Sequence, residues 1–238
     1  MPMKILYVFP HPDDESFGPA RAISAQARAG HEVYLLTLTR GGATKERHRL
    51  GYSIEEMGAV RFAEMQAVAR VLGLADLTVL DLPDSGLKEL DPRVIEAAVA
   101  SHIQRVRPAV VVTYPAHGIS GFHDHLVTHA VVKRVFLELR DTGADDLKRL
   151  AFFTLTNEQA TAASGVHRLS GSAPEEIDCL MTVDDEDMDA FCRALDCYVT
   201  YREMIERTGV RDSLDRTVAF EIFGEHHAPP LDDLTSEL

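Results

Sequence analysis

The chain has 238 residues, of which 45% are hydrophobic, so it can bury a packed core in one α/β domain or two small ones. The formal charge of −14 argues against a generic nucleic-acid-binding surface and against attachment to anionic lipid. The amino terminus lacks signal-peptide features, no segment has membrane-spanning length, and the three cysteines form no C-x-x-C pair, so we expect a cytoplasmic protein.

The first half of the chain predicts strands that alternate with helices. Apolar runs of strand length alternate with segments of helical spacing, and the helices carry start and stop signals such as Ser53 and Gly73. The predicted strands are Met3–Phe9, Glu32–Leu38, Leu77–Leu80 and Ala109–Thr113; the predicted helices run from Ser16 to Gly30, from Ser53 to near Gly73 and from Pro92 to Arg107.

The second half continues this alternation with more irregular connections. Helices are predicted from about Asp124 to Arg140 and from about Glu186 to Glu206, strands at Leu150–Leu155, Ile177–Val183 and Thr217–Phe223, and loop or mobile chain at Asn157–Pro174 and Pro229–Leu238. Continuous apolar strands between helices are typical of buried parallel sheets. We therefore expect one domain over residues 1–238 with a Rossmann-like doubly wound α/β fold: a mainly parallel sheet with helices on both faces, and an acidic tail from about residue 229.

A cluster of acidic residues directly follows the first predicted strand. The pentapeptide His11-Pro12-Asp13-Asp14-Glu15 lies where a doubly wound sheet binds ligands, beyond the carboxyl end of a strand. Three carboxylates held this close repel one another unless a cation lies among them. Glu15 taken alone is better explained as a solvated residue in the first turn of a helix.

A second cluster follows the fourth predicted strand and contains His117, His123, Asp124, His125 and His129. Brought together at adjacent strand ends, the two clusters can supply a His/Asp/His ligand set with one open position, as catalytic zinc requires. An open metal position indicates hydrolysis. His129 shares an apolar helix stripe and is better explained by packing.

Two arginines are further candidates for a site. Arg61 lies on the same helix face as several apolar residues, so it needs a partner within packed structure. That partner is either Glu64, one turn along the helix, or a substrate hydroxyl or carboxylate. Arg40, at the end of the second predicted strand, is a weaker candidate of the same kind.

The first cluster resembles a known family signature. Pro10-His11-Pro12-Asp13-Asp14-Glu15 is similar to the (A/P)-H-P-D-D-E motif of the PIG-L/LmbE-like zinc deacetylases, which act on N-acetylglucosamine-containing glycoconjugates and related amides. Thr37–Gly41, Asp81–Gly86 and the Arg61 and Glu64 pair support the resemblance, which covers most of the first 140 residues. It implies a zinc-dependent hydrolase that removes an acetyl or other acyl group from an amino-sugar amide.

The resemblance also implies a role for individual residues. His11, Asp14 and His125 would bind zinc, and Asp13 would be the general base for the zinc-bound water. Arg61 and Arg40 would bind substrate, while Glu15 and Asp124 would support the ligands from behind. The chain departs from the family at Phe122, which stands where the family has the first histidine of G-H-P-D-H. His123 or His117 could take over the catalytic role of that histidine, and we favour His123.

Three other classes of protein are alternatives to this interpretation. A Rossmann dehydrogenase needs a glycine fingerprint after the first strand, and this chain has none there. A receiver-type domain gathers acids around magnesium but does not use a histidine cluster. A non-catalytic metal- or sugar-binding protein on the same fold remains open because of Phe122.

The resemblance allows an N-acetylglucosaminyl malate, an inositol glycoside or a chitooligosaccharide as substrate, and a trimer or hexamer as the assembly.

Overall fold

The computed structural model describes residues 1–163 and 168–238. The strands are β1 (Lys4–Phe9), β2 (Glu32–Thr39), β3 (Asp76–Leu82), β4 (Val110–Thr113), β5 (Arg149–Thr154), β6 (Cys179–Thr182) and β7 (Thr217–Ile222). The helices are α1 (Asp14–Phe17), α2 (Ala20–Arg28), α3 (Glu46–Leu50), α4 (Ile54–Leu72), α5 (Pro92–Val106), α6 (His123–Asp141), α7 (Asn157–Ala163), α8 (Asp185–Cys197), α9 (Arg202–Thr208) and α10 (Val210–Ser213).

Within these residues the strands form one seven-stranded sheet in the order β3-β2-β1-β4-β5-β7-β6. Strands β1 to β5 are parallel, while β7 runs antiparallel to β5 and β6 antiparallel to β7. Ile5 and Tyr7 join one apolar cluster and Leu6 and Val8 the other, so both faces of the sheet are covered. The predicted doubly wound, mainly parallel fold is confirmed.

The strand order reverses between β1 and β4. Residues 5–7 of β1 pair with residues 110–112 of β4, while β2 and β3 lie on the far side of β1. Ligands bind at such a switch point, outside the carboxyl ends of the two strands. Because each histidine-containing cluster follows one of these strands, the topology brings the two clusters together.

Three segments differ from the expectation. The single helix predicted from Ser16 to Gly30 is divided at Gly18 and Pro19 into α1 and α2. The single helix predicted over 186–206 is wrong: α8 ends at Cys197, the backbone of Tyr198 leaves the helical region at ψ 72°, and α9 begins at Arg202. The predicted loop 157–174 contains α7, and its residues 164–167 lie outside the described residues. The acidic tail, by contrast, is a loop as predicted, and it packs on the sheet, since Leu234 is fully buried and its carbonyl accepts a hydrogen bond from Arg149.

The start of α4 follows its sequence signal. Ser53 Oγ accepts a hydrogen bond from the backbone N–H of Glu56 at 3.1 Å, and Glu56 Oε2 accepts one from the backbone N–H of Ser53 at 2.8 Å. This capping box satisfies two backbone donors at the helix start. Among the described residues, no helix is both long enough and apolar enough to cross a membrane.

Candidate functional site

A strained turn after β1 arranges the first cluster. Asp13 has φ 89°, in the left-handed region that non-glycine residues seldom adopt. Its carbonyl accepts hydrogen bonds from the first turn of α1, and its N–H donates to the Tyr198 hydroxyl at 2.7 Å. The same turn lets Asp14 reach back, where its Oδ2 accepts from the His11 N–H at 2.8 Å. His11 and Asp14 are thereby fixed on one side of the turn.

The structure brings the three predicted ligands together. His11 Nδ1 lies 3.5 Å from Asp14 Oδ2, and His125 Nε2 lies 3.3 Å from Asp14 Oδ1. One candidate ligand atom from each residue lies within 4.8 Å of the other two. Asp14 and His125 are buried, and the His11 side chain is 15% exposed. Donor atoms at this spacing can share one ion.

The remaining ring nitrogens have partners of their own. His125 Nδ1 is 2.9 Å from the Gly118 carbonyl oxygen, and His11 Nε2 is 3.2 Å from Asp124 Oδ2. Metal-binding histidines usually donate the second ring N–H to a carbonyl or a carboxylate, which fixes the tautomer. Asp124 in turn accepts from the backbone N–H groups of Ser85 and Leu87. Asp124 therefore lies behind His11, and its predicted supporting role stays a prediction.

A second group of possible ligands shares His11. Its Nε2 is 3.4 Å from Asp84 Oδ1, and His11, Asp84 and Asp124 also have donor atoms within 4.8 Å of one another. This group has one imidazole and two carboxylates, whereas the first has two imidazoles and one carboxylate, a composition found in catalytic zinc sites. Asp84 had no predicted role, although its place just after β3 was a signal for one.

The electrostatics of the cluster suit a bound cation. Burial raises the pKa of Asp13 to about 6, although the Arg61 guanidinium opposes this shift. Burial also opposes the charged form of His11, but hydrogen bonds to Asp124 and Asp14 raise its pKa to about 10. The carboxylates therefore stabilise positive charge strongly at this position.

Arg61 does not pair with Glu64, the protein partner that was predicted for it. Its Nη2 lies 2.9 Å from Asp13 Oδ2, and its Nη1 donates to the Gly41 carbonyl and to the Tyr201 hydroxyl, each at 3.1 Å. Glu64 instead accepts from the backbone N–H and hydroxyl of Thr200. Arg61 thus contacts Asp13 and also borders the cavity described below, so its predicted contact with substrate stays a prediction.

Glu15 and Arg40 lie in very different surroundings. Glu15 is fully buried, so its interpretation as a solvated residue at a helix start is wrong. Its Oε1 accepts from the hydroxyls of Ser16 and Tyr198, and burial raises its pKa to about 7. Arg40 is 42% exposed, with its Nε 3.5 Å from Asp81 Oδ1, and it does not border the cavity in the described part of the chain. The predicted substrate role of Arg40 therefore has no geometric support.

The two histidines proposed to replace the family histidine lie apart. His123 is exposed, begins α6 and borders the cavity, next to Phe122, whose ring meets His125 edge-on at 5.6 Å. His117 Nε2 is 3.3 Å from Ser172 Oγ, and its Nδ1 accepts from the Ile119 N–H. His117 therefore supports a loop, and His123 is the one positioned to meet a ligand.

His129 has the packing environment expected from its helix stripe. Its Nδ1 lies 2.8 Å from the Tyr114 carbonyl oxygen, and its ring centroid lies 4.7 Å from that of Phe152. These contacts tie α6 to the strand region beneath it. His129 does not belong to either possible ligand group among the described residues.

Tyrosines that had no predicted role complete the site. The Tyr114 hydroxyl donates to Asp14 Oδ1 at 2.7 Å, and the Tyr114 ring stacks on His125 with centroids 4.1 Å apart. Tyr114 follows β4 directly, so its position was a usable signal. Tyr198 joins Glu15 to the backbone of Asp13, and Tyr201 contacts Arg61. Both come from the far end of the chain and carry no local motif.

The cluster lies in the wall of a cavity of about 660 Å³. The loops after β2 and β3 border the cavity on one side, which we call the polar arm: Thr44, Lys45, Glu46, Asp84 and Ser85. Segments near the end of β5 border it on the other side, which we call the apolar arm: Ile119, Phe153, Leu155, Leu169, Val210 and Leu214. The group of His11, Asp14 and His125, which we call the metal cluster because it could hold an ion, lies between the two arms, since β1 and β4 lie between β2 and β5 in the sheet.

A sequence profile of the PIG-L family, described as GlcNAc-PI de-N-acetylase, matches residues 6–136. A curated 1D-myo-inositol 2-acetamido-2-deoxy-alpha-D-glucopyranoside deacetylase from Kineococcus radiotolerans is 32% identical over 163 residues, which is 57% of this chain and 45% of the relative. The chain spans about half the length of the curated relatives it matches.

Solved structures match nearly the whole chain. An N,N'-diacetylchitobiose deacetylase from Pyrococcus horikoshii matches with a TM-score of 0.67 and 17% identity, covering 93% of this chain and 84% of the other. GalB, a 4-carboxy-2-hydroxymuconate hydratase from Pseudomonas putida, matches with a TM-score of 0.69 and 14% identity, covering 94% and 97%. At these identities the matches show a shared fold, which carries more than one chemistry.

Proposed function

The chain belongs to the PIG-L family, and on that premise we propose that it is a metal-dependent amide hydrolase that removes an acyl group from an N-acetylglucosamine-type amino-sugar conjugate. The observation that carries the proposal is the convergence of His11, Asp14 and His125 in the cavity wall, with Asp13 beside them. The relatives named as deacetylases support this reaction class. We take residues 1–238 as one catalytic domain acting on a small molecule in the cytoplasm.

The donor set fits zinc. Two imidazoles and one carboxylate would hold the ion, and the second nitrogen of each ring already has a hydrogen-bond partner. When bound, zinc lowers the pKa of a water ligand to ~7 and polarises the amide carbonyl. Tyr114 keeps this set in order, since it holds Asp14 by a hydrogen bond and His125 by stacking.

The residues around the ligands divide the proton transfers. Asp13 accepts a proton from the attacking water as the water oxygen bonds to the acyl carbon. Arg61 and Tyr198 hold Asp13 for this step, Arg61 through its carboxylate and Tyr198 through its backbone N–H. His123 then donates a proton to the departing nitrogen as the C–N bond breaks. The products are a carboxylate and a free amino sugar.

The experiment is an assay of N-acylated amino sugars, scored by free amine released, before and after removal of metal with a chelator. We expect hydrolysis by the isolated protein, its loss on chelation, and its recovery with about one equivalent of zinc. Recovery with magnesium alone would contradict the imidazole-based site. Bound zinc without hydrolysis of any amide would favour the non-catalytic metal- or sugar-binding protein that Phe122 left open.

A further inference from the structure

The two arms of the cavity differ in chemistry because they come from opposite sides of the switch point. The polar arm follows β2 and β3, while the apolar arm lies beyond β4. Gln159 of α7, which follows β5, donates to Asp215 Oδ1 at 2.9 Å and so ties the end of α10 to the β5 side. An amide held at the metal cluster therefore has a polar space on one side and an apolar space on the other.

The apolar arm offers little to the hydroxyls of a sugar. Phe153, Leu155 and Val210 are at most 7% exposed and belong to one packed cluster. Two nearby hydroxyls already donate within their own helices, Thr208 to the Ile205 carbonyl and Ser213 to the Val210 carbonyl. Arg207 also borders the cavity here but is exposed to solvent. A sugar placed in this arm would lose hydrogen bonds with water and find few partners in exchange.

The wall of the apolar arm is fixed in position. A Cβ atom at Gly18 would lie 2.4 Å from Phe153 Cε1, so the absence of a side chain there lets the Phe153 ring pack against α1. Ile119 is held at φ 57°, an outlier for a β-branched residue. His117 accepts from its N–H at 3.1 Å, and the Ser170 N–H donates to its carbonyl at 2.8 Å. These two hydrogen bonds hold the strained backbone of Ile119 in place at the point where its side chain borders the cavity.

An acetyl group leaves this space unused. Its single methyl extends only one carbon beyond the carbonyl, whereas the apolar arm is one side of a cavity whose total volume of about 660 Å³ lies in the range that holds a whole drug-sized ligand. A hydrocarbon tail would cover the apolar walls and displace water from them. We propose that the chain acts on amino sugars that carry a medium-chain fatty acyl amide, with the sugar in the polar arm and the tail in the apolar arm.

This inference rests on the proposed function and deepens it by naming the acyl group. The reaction remains a hydrolysis: the amide C–N bond breaks, the water oxygen becomes part of a fatty carboxylate, and the amine leaves with a proton. No further reactant is needed. The acyl chain adds affinity for the apolar arm without changing the chemistry at the metal cluster.

The first test is a series of N-acyl glucosamines with acetyl, butanoyl, hexanoyl and octanoyl groups. We expect kcat/KM to rise by about fourfold for each added methylene until the arm is filled. A series in which acetyl is the best substrate, or in which chain length has no effect, overturns the inference and leaves the proposed function standing. Failure to hydrolyse any member overturns both.

The second test narrows the arm. Val210→Phe adds a ring to its wall, and we expect the ratio of octanoyl to acetyl kcat/KM to fall by about tenfold or more. Val94→Phe is the matched control, because Val94 is 51% exposed on α5 and is not among the residues that line the cavity, so the ratio should stay at the wild-type value. An unchanged ratio in folded Val210→Phe protein overturns the inference.

A third measurement uses only the wild-type protein and so does not depend on the folding of a variant. Octanoate and acetate are the products of the two ends of the series, and each is tested as an inhibitor of acetyl-substrate hydrolysis. We expect octanoate to inhibit at a concentration about 100-fold lower than acetate, because its tail occupies the apolar arm. Equal inhibition by the two acids overturns the inference.

Discussion

The metal cluster and the apolar arm lie in one cavity but are built in different ways. Two short stretches, residues 11–14 and 122–125, supply the ligands, the candidate base and the candidate acid. The apolar arm is assembled from the end of β5, from α10 and from the loops around residues 119 and 169. Chemistry is thus concentrated in motifs, whereas the shape that selects a substrate is spread along the chain.

The largest effects should come from substitutions in the two short motifs that supply the ligands and the candidate base. Asp13→Asn keeps the shape of the side chain but cannot accept the proton, so kcat should fall by about 10³-fold or more while bound zinc is retained. His125→Ala removes a ligand, so it should lose both zinc and activity. Metal content and free-amine release are measured on the same samples.

Near-wild-type turnover by Asp13→Asn would show that Asp13 is not the general base. Retention of one zinc per chain by His125→Ala would place the ion elsewhere. Far-ultraviolet circular dichroism on both variants separates these outcomes from loss of the fold.

A smaller effect is expected from the candidate acid. His123→Ala removes the histidine that borders the cavity beside Phe122, and kcat should fall by about 100-fold with little change in KM, because protonation of the leaving amine is lost. Zinc content should not change. An unchanged kcat would mean that another group protonates the amine.

The smallest effect should appear on the apolar side. His117→Ala removes the acceptor for the Ile119 N–H, so the strained loop can relax into the arm. We expect the ratio of octanoyl to acetyl kcat/KM to change by about threefold, with zinc content unaffected. A loss of acetyl-substrate turnover comparable to that of His123→Ala would instead place His117 in the chemistry.

The sequence was sufficient for the parts of the site that depend on local order. A strand followed at once by His11, Asp13 and Asp14 predicts a cluster at a sheet edge, and parallel topology brings it to the histidines after β4. The same reasoning applies to Asp84, which closely follows the end of β3 and was given no predicted role in the site. The predicted bounds of a helix agreed with the structure to within a few residues where the periodic spacing of apolar residues and the capping signals pointed to the same ends, as in α4 and α5.

The parts that depend on distant contacts were not predictable in this way. No glycine or proline marks the break at Tyr198, so helical spacing predicted one helix through it. In the fold, the Tyr198 hydroxyl binds Glu15 and the backbone of Asp13, and these tertiary contacts coincide with the point where α8 ends. Arg61 likewise pairs with Asp13 instead of Glu64, because β1 and α4 meet only after folding.

The central claim is that one ion is shared by His11, Asp14 and His125, and anomalous X-ray scattering at the zinc absorption edge tests it directly on crystals of the zinc-loaded protein. The account predicts a single peak about 2.0–2.2 Å from His11 Nδ1, from a carboxylate oxygen of Asp14 and from His125 Nε2. A peak between His11 Nε2, Asp84 and Asp124, or no peak in this cavity, would contradict it.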